Sequence, residues 1–224
     1  MPNLTVQAVS WLSPDIFELV LDRRGLAFEP GDCFAIYHPR RVSRPYSAAS
    51  GTGEPCLRFL IRHVEGGRLS GWLAERQSGD EVTVSKPFGL FRPGKEHGDG
   101  GPCVFIATGT GIAPMLSALR SRPELHPAAC LWGVRRLADA VELEYLAERC
   151  PLTVCVSREA VPATEGSSMH HHGRVTDLLD RIPHLPATQY YLCGLDVMID
   201  ESSNWLERHG ISPNQIHREV FFYA

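Results

Sequence analysis

The sequence predicts two domains in tandem: a small antiparallel β-barrel over residues 1–95, then an α/β domain with a doubly wound parallel sheet over residues 101–224. Three observations predict this. Residues 4–9, 16–21 and 32–37 are short β-leaning segments divided by Ser-Pro-Asp and Glu-Pro-Gly-Asp turns, and closely spaced short strands point to a barrel. From Val104 onward, apolar strand segments alternate with helix-permissive ones, the pattern of a parallel sheet with helical crossovers. Between the two lies Arg92–Pro102, the one long stretch of pure loop composition and the natural boundary.

Composition narrows the function. A chain of 224 residues with 43% hydrophobic content has ample core for one large domain or two small ones. The net charge of -4 argues against generic nucleic-acid binding. No run approaches the length of a membrane span, and residues 1–20 lack the layout of a signal peptide, so a cytoplasmic setting is expected. Lys86 and Lys95 are the only lysines among 22 basic side chains, so a phosphate site would use the forked contacts of arginine. An odd number of cysteines, seven, without an export signal implies reduced thiols. Cys150 and Cys155 have the C-x4-C spacing that opens an iron–sulfur signature, but Arg158 stands where its third cysteine belongs. No cluster and no metal are expected.

In the first half, Leu57, Phe59 and Ile61 alternate with Arg58, Leu60 and Arg62, a strand with one buried face, and Val82 and Val84 repeat the alternation. A brief helix is expected at about Ser70–Arg76, with Ser70 as its N-cap and the helix start as an anion seat. Upstream, Arg44-Pro45-Tyr46-Ser47 sets a guanidinium, a flat aromatic face and a hydroxyl within four residues. A ligand with a diphosphate and a fused ring would use all three, by ion pairing, stacking and hydrogen bonding.

In the second half, Val104–Ala107 is four apolar residues in a row, a strand buried on both faces. Gly109-Thr110-Gly111 follows, then a helix whose first turn accommodates Pro114. Glycines there let main-chain N–H groups face a bound group, and the helix start seats a diphosphate. Further strands are expected at 129–133, 153–157, 190–193 and 215–222, with helices at 114–120, 138–149, 174–182 and 198–209. Ligands of such sheets lie beyond the carboxyl ends of the strands. Thr110, Arg135, Ser157, Arg158 and Cys193 all fall there. In Ser157-Arg158-Glu159 an arginine suited to a 2′-phosphate adjoins an acid suited to a ribose diol. The arginine favours NADPH through charge-assisted pairing to a near-dianionic phosphate. His170-His171-His172 lacks the staggered spacing of a metal site and reads as a solvated loop.

Taken together, Arg-x-Tyr-Ser, a strand, Gly-x-Leu-Ser and Gly-Thr-Gly-Ile-Ala-Pro, in that order, resemble the ferredoxin–NADP reductase family of flavoproteins. The resemblance spans nearly the whole chain and implies a six-stranded FAD-binding barrel followed by a nicotinamide-nucleotide domain. It implies that Arg44 and Ser70, with the Gly67-Arg68-Leu69 turn, hold the FAD diphosphate. Tyr46 would lie along the isoalloxazine, Ser47 would bond near its reactive nitrogen, and Ile61-Arg62-His63 would pass it with their backbone. Arg135, Ser157, Arg158 and Arg174 match the residues that hold the 2′-phosphate in NADP-using members. Cys193-Gly194-x-x-x-Met places Cys193 beside the nicotinamide. A terminal aromatic covers the flavin in that family, with an acid nearby; this falls on Phe221 and Glu219, with Phe222 and Tyr223 as alternatives for the cover. Ser47, Cys193 and Glu219 then line the reacting centre.

The implied reaction takes hydride from NADPH to FAD and passes single electrons to an acidic carrier such as ferredoxin or flavodoxin. Arg40, Arg41 and Arg44 would steer that carrier. The alternatives are a reductase component of an oxygenase system, a reductase releasing free reduced flavin, and a nucleotide-binding regulatory subunit without turnover.

Overall fold

The computed structural model describes residues 1–95, 102–160, 169–185 and 187–220. Its contacts divide the chain into two compact units, the first Met1–Arg92 with Ala113–Pro123 and the second Pro93–Ile112 with Glu124–Ala224.

The first unit is built on β1 (Asn3–Trp11), β2 (Ile16–Asp22), β3 (Cys33–His38), β4 (Val42–Ser47), β5 (Cys56–Arg62) and β6 (Glu81–Val84). They form one antiparallel sheet in the order β4-β3-β6-β1-β2-β5. The strands alternate as their sequences require, so Leu19 and Leu21 of β2 face Phe59 and Leu57 of β5 and all four are buried. The chain leaving the edge strand β4 crosses to the opposite edge. There the Ala49 N–H donates to the Arg58 carbonyl at 2.7 Å and the Arg58 N–H donates to Ser50 Oγ at 3.1 Å. Phe34 sits between Phe28 and Phe59 in edge-to-face contacts at 6.0 and 5.8 Å. A short helix, α1 (Arg68–Ala74), adds Leu69 and Leu73 to this core.

The helix α2 (Ala113–Ser121) groups with this unit. Ser117 Oγ donates to the Ser50 carbonyl at 2.7 Å, Arg120 donates to the Ala49 carbonyl at 2.6 Å, and the Thr52 N–H donates to Ser121 Oγ at 2.9 Å. Gly51 permits the approach, since a Cβ there would stand 2.9 Å from Arg120 Cβ.

The second unit contains β7 (Cys103–Thr108), β8 (Ala129–Val134), α3 (Leu143–Arg149), β9 (Leu152–Val156), β10 (His170–His172), β11 (Gln189–Gly194), α4 (Asp196–Arg208) and β12 (Ile216–Val220). The sheet is wholly parallel, ordered β10-β9-β8-β7-β11-β12. Its order runs outward from β7 one way and from β11 the other, so the topological switch point lies between them. One face packs Val104, Ile106, Leu131, Tyr190 and Leu192 against Leu178, Leu179 and the α4 residues Met198, Ile199 and Leu206. The other buries Phe105, Trp132 and Tyr191, and His217 stacks on Tyr191 at 4.7 Å.

Three expected elements of the second unit differ. The helix expected over 138–149 begins only at Leu143, because Glu142 adopts a left-handed φ of 60° after a separate 3-10 turn at Leu137–Asp139. The helix expected over 174–182 is a 3-10 helix over Val175–Arg181. His170–His172 is not a solvated loop but an edge strand in register with Val154–Val156, where the parallel ladder satisfies its backbone.

Because Phe34 is fully buried between two rings, Phe34→Ala is expected to destabilise the first unit by about 3–5 kcal/mol. Urea denaturation of the variant beside the wild type measures it.

Candidate functional site

In the first unit the Arg44-Pro45-Tyr46-Ser47 tetrapeptide lies on β4, an edge strand, which is where a proline costs no ladder bond. Arg44 and Pro45 are exposed, Tyr46 is half-buried against the core, and Ser47 is 3% exposed. Burial pushes the Tyr46 phenol up to about 12, outweighing the Arg44 guanidinium that pulls it down. The ring therefore stays neutral at any physiological pH. Ser47 is in register with Cys33 of β3, and its Oγ lies 3.4 Å from Cys33 Sγ.

The Ile61-Arg62-His63 segment leaves the other edge. Ile61 is buried, Arg62 pairs with Asp15 at 3.3 Å, and the His63 N–H donates to the Asp15 carbonyl at 2.8 Å. Ser70 is not the N-cap of α1. Gly67 holds that position, and Ser70 Oγ instead accepts from the Val64 N–H at 3.1 Å. The helix starts earlier than the sequence suggests because the chain turns at Gly66 (φ 71°) and Gly67, where a Cβ would lie 2.8 Å from Ser70 Oγ and from the Val64 carbonyl. No side chain caps that first turn, and Arg68 stands exposed on it while Leu69 is buried.

In the second unit the two strands flanking the switch point end in turns that touch. A Cβ on Gly111 would collide with the Cys193 carbonyl, and one on Gly194 (φ 135°) would collide with the Thr108 side chain. Thr108 Oγ1 accepts from the Leu195 N–H at 2.8 Å, and the Gly109 carbonyl accepts from Trp132 Nε1 at 2.9 Å. These bonds hold the Gly109–Ile112 3-10 turn, with Thr110 half-buried on it, at the carboxyl ends of the strands. Gly109 itself has φ 53° and open space where a Cβ would stand. Cys193 is fully buried, and its partners in register are Ala107 of β7 and Glu219 of β12, so Cys193 and Glu219 lie side by side. Phe221 falls outside the described residues.

The arginines expected to meet a phosphate follow three neighbouring strands: Arg135 after β8, Arg158 after β9 and Arg174 after β10. Arg158 and Arg174 are exposed and Arg135 is half-buried. Adjacent strands lie about 4.8 Å apart, so the backbones of the outer two arginines are separated by only about two strand spacings. Ser157 joins them, its hydroxyl donating to the Val134 carbonyl at 3.2 Å. Thr108 and Trp132 hold the Gly109–Ile112 turn through their hydrogen bonds without having been singled out as ligands. Thr108 alone carried a signal, a hydroxyl directly before the glycine turn. Of the cysteines, Cys150 and Cys155 are buried free thiols, and Cys150 Sγ donates to the Leu146 carbonyl at 3.5 Å. Among the described residues no cluster of His, Cys, Asp or Glu could hold a metal ion, and no helix is long and apolar enough to cross a membrane.

This donor set fits a dinucleotide. The second unit has a glycine turn with open space at Gly109 and three arginines that follow adjacent strands, and the first has an aromatic ring beside an arginine on its own sheet. Fold and site together define a two-domain oxidoreductase that uses a flavin and a nicotinamide nucleotide, and family descriptions agree. The oxidoreductase FAD-binding domain matches residues 4–92 and the oxidoreductase NAD-binding domain matches residues 105–204. A ferredoxin–NAD(P)+ reductase component of naphthalene 1,2-dioxygenase/salicylate 5-hydroxylase systems from Ralstonia is 33% identical over 97% of this chain and 68% of its own length. Ferredoxin–NADP reductase B of Sorangium cellulosum is 33% identical over 86% of this chain and 85% of its own length. Among solved structures, an Amycolatopsis cytochrome P450 reductase superposes with a TM-score of 0.85 at 31% identity, over 98% of this chain and 70% of that one. A Neisseria gonorrhoeae ferredoxin NADP+ reductase with bound FAD and NADP shares the fold, with a TM-score of 0.85 at 22% identity over 99% of this chain and 98% of that one. The chain belongs to the ferredoxin–NADP reductase family.

The contact at the switch point makes Gly194 irreplaceable. Gly194→Ala is expected to cost at least about 1–3 kcal/mol from backbone strain alone, with the clash against Thr108 added. Gly210→Ala, at φ 85° with open space around it, is expected to cost only about 1–2 kcal/mol. Paired thermal melts of the two variants check the difference.

Proposed function

We propose that the protein is an NADPH-dependent FAD reductase that delivers electrons to a one-electron carrier protein in the cytoplasm. The observation that supports the choice of NADPH is the row of Arg135, Arg158 and Arg174 beyond three adjacent strand ends, with Ser157 among them. Forked guanidinium donors match the oxygens of a 2′-phosphate, whereas a ribose diol needs an acid. The acids there are occupied by backbone donors: Glu159 accepts from the Leu137 N–H at 2.6 Å and Asp177 from the Arg174 N–H at 2.7 Å.

In this reading Arg44, with the uncapped Gly67–Ser70 turn, holds the FAD diphosphate. Tyr46 offers its neutral ring to the isoalloxazine, Ser47 bonds near its reactive nitrogen, and the backbone of Ile61–His63 runs alongside. The Gly109-Thr110-Gly111 turn and Gly194 let main chain approach the dinucleotide closely. Cys193 and Glu219, neighbours in register, flank the nicotinamide, and Phe221 is the aromatic cover. Bound FAD supplies the conversion of a two-electron hydride into single electrons; the protein orients, excludes water and sets the field.

The carrier is an acidic protein of ferredoxin or flavodoxin type. Arg40 and Arg41 stand exposed in the β3–β4 turn, held by donations from their N–H groups to His38 at 2.9 and 3.0 Å, and Arg44 follows on β4. A second reading, as the reductase component of an oxygenase system, is favoured by the Ralstonia relative, a reductase component of dioxygenase and hydroxylase systems. The chain spans about two thirds of the Ralstonia protein's length.

Arg158→Ala is expected to lower kcat/KM for NADPH roughly ten- to hundredfold, the worth of a charge-assisted hydrogen bond, while changing NADH less than about threefold. Equal loss with both nucleotides would remove Arg158 from the phosphate site. Stopped-flow reoxidation by ferredoxin, flavodoxin and free flavin identifies the acceptor. Strong suppression by salt with the protein carriers alone supports the basic patch.

A further inference from the structure

The adjacency of Arg158 and Glu159 poses a chemical problem: a carboxylate beside a phosphate site repels the ligand the arginine attracts. The hydrogen bonds beyond β8 and β9 resolve it. The Ser157 N–H donates to the Val134 carbonyl at 3.1 Å and the Arg158 N–H to the Arg135 carbonyl at 2.9 Å. The first closes the end of the parallel ladder and the second ties together the two loops that follow it, both donors lying on the β9 side. The next bond runs the other way, from the Leu137 N–H on the β8 side to Glu159 Oε1 at 2.6 Å. Arg136 is skipped between them and is exposed.

Leu137 opens the 3-10 turn Leu137–Asp139, so its N–H has no acceptor within that turn. The residue in the N-cap position is Arg136, and a guanidinium has donors but no acceptor. Within the turn Asp139 Oδ2 accepts from the Arg136 N–H at 3.4 Å, and the Leu137 N–H is taken by Glu159, 22 residues away in sequence.

We propose that Glu159 is a positioning residue for coenzyme selection. Its carboxylate clamps the loop after β8 to the loop after β9, and so holds the Arg135 and Arg158 backbones at the spacing a nucleotide 2′-phosphate requires. The clamp rests on the NADPH reading for the identity of the ligand, though not for its own existence. An acid next to the arginine is then part of NADPH recognition and not a mark of NADH use.

The test compares Glu159→Ala with Glu159→Gln in the FAD-loaded protein. Glutamine keeps an acceptor oxygen without the charge; alanine removes both. Calorimetric titration with NADP+ and NAD+ is read beside kcat and KM and beside hydrogen exchange of the Leu137 amide. Glu159→Ala is expected to weaken NADP+ binding about tenfold, to speed Leu137 exchange, and to leave NAD+ binding and kcat at saturation within about twofold. Glu159→Gln is expected to restore NADP+ affinity to within about threefold of wild type and to keep Leu137 protected. Two results overturn the clamp: an alanine variant with unchanged NADP+ affinity and unchanged Leu137 exchange, or both variants losing NAD+ affinity in preference to NADP+, which would make Glu159 a direct ligand of the ribose. Wild-type protein that binds NAD+ as tightly as NADP+ would instead refute the NADPH reading, and Leu137 exchange in the two variants would still decide the clamp.

Discussion

The nucleotide unit depends on how closely two turns approach at the point where its strand order reverses. Gly111 meets the Cys193 carbonyl, and Gly194 meets Thr108, with no room for a side chain at either. The Thr108 hydroxyl bonds the Leu195 N–H at 2.8 Å and fixes the two turns in register. A parallel sheet leaves a crevice at its switch point, and here the floor of that crevice is main chain. Backbone can face a ligand only where Cβ atoms are missing. The glycines are therefore a steric requirement of the site before they are a recognition motif.

Electrostatics supplies what that floor does not. The net charge is -4, so attraction for a polyanionic coenzyme has to be local. In the proposed reading it comes from Arg135, Arg158 and Arg174, which follow three adjacent strands, while the acid beside Arg158 is taken by a backbone donor. In the other unit an edge strand does comparable work. β4 presents Arg44 to solvent and turns Ser47 inward toward Cys33, while Tyr46 packs half-buried against the core. Each unit thus pairs a rigid sheet with charged groups at its rim.

Much of this was legible in the sequence because it depends on local rules. Four consecutive apolar residues at Val104–Ala107 imply a strand buried on both faces, and Leu19, Leu21, Leu57 and Phe59 betray the barrel by alternation. Placing Arg135 and Arg158 beyond strand ends needed only the strand boundaries. What escaped depends on partners distant in sequence. Ser70 looks like a cap until the turn at Gly66 and Gly67 brings Val64 to its hydroxyl. His170–His172 looks solvated until β9 offers a free edge. The Glu159 bond to Leu137 has no local signal, since it exists only when β8 and β9 are already paired. The break at Glu142 has the same character, a left-handed residue in a stretch whose composition favours helix.

The central claim is that one chain joins a flavin site to a 2′-phosphate-selective nicotinamide site. Anaerobic titration of the purified, FAD-loaded protein with NADPH, followed in the flavin absorbance, tests it most directly. The account predicts that about one equivalent of NADPH bleaches the flavin, because hydride carries both electrons of the reduction, and that NADH does so far more slowly. A protein that retains no FAD, or a bound flavin that neither nucleotide bleaches, would contradict it.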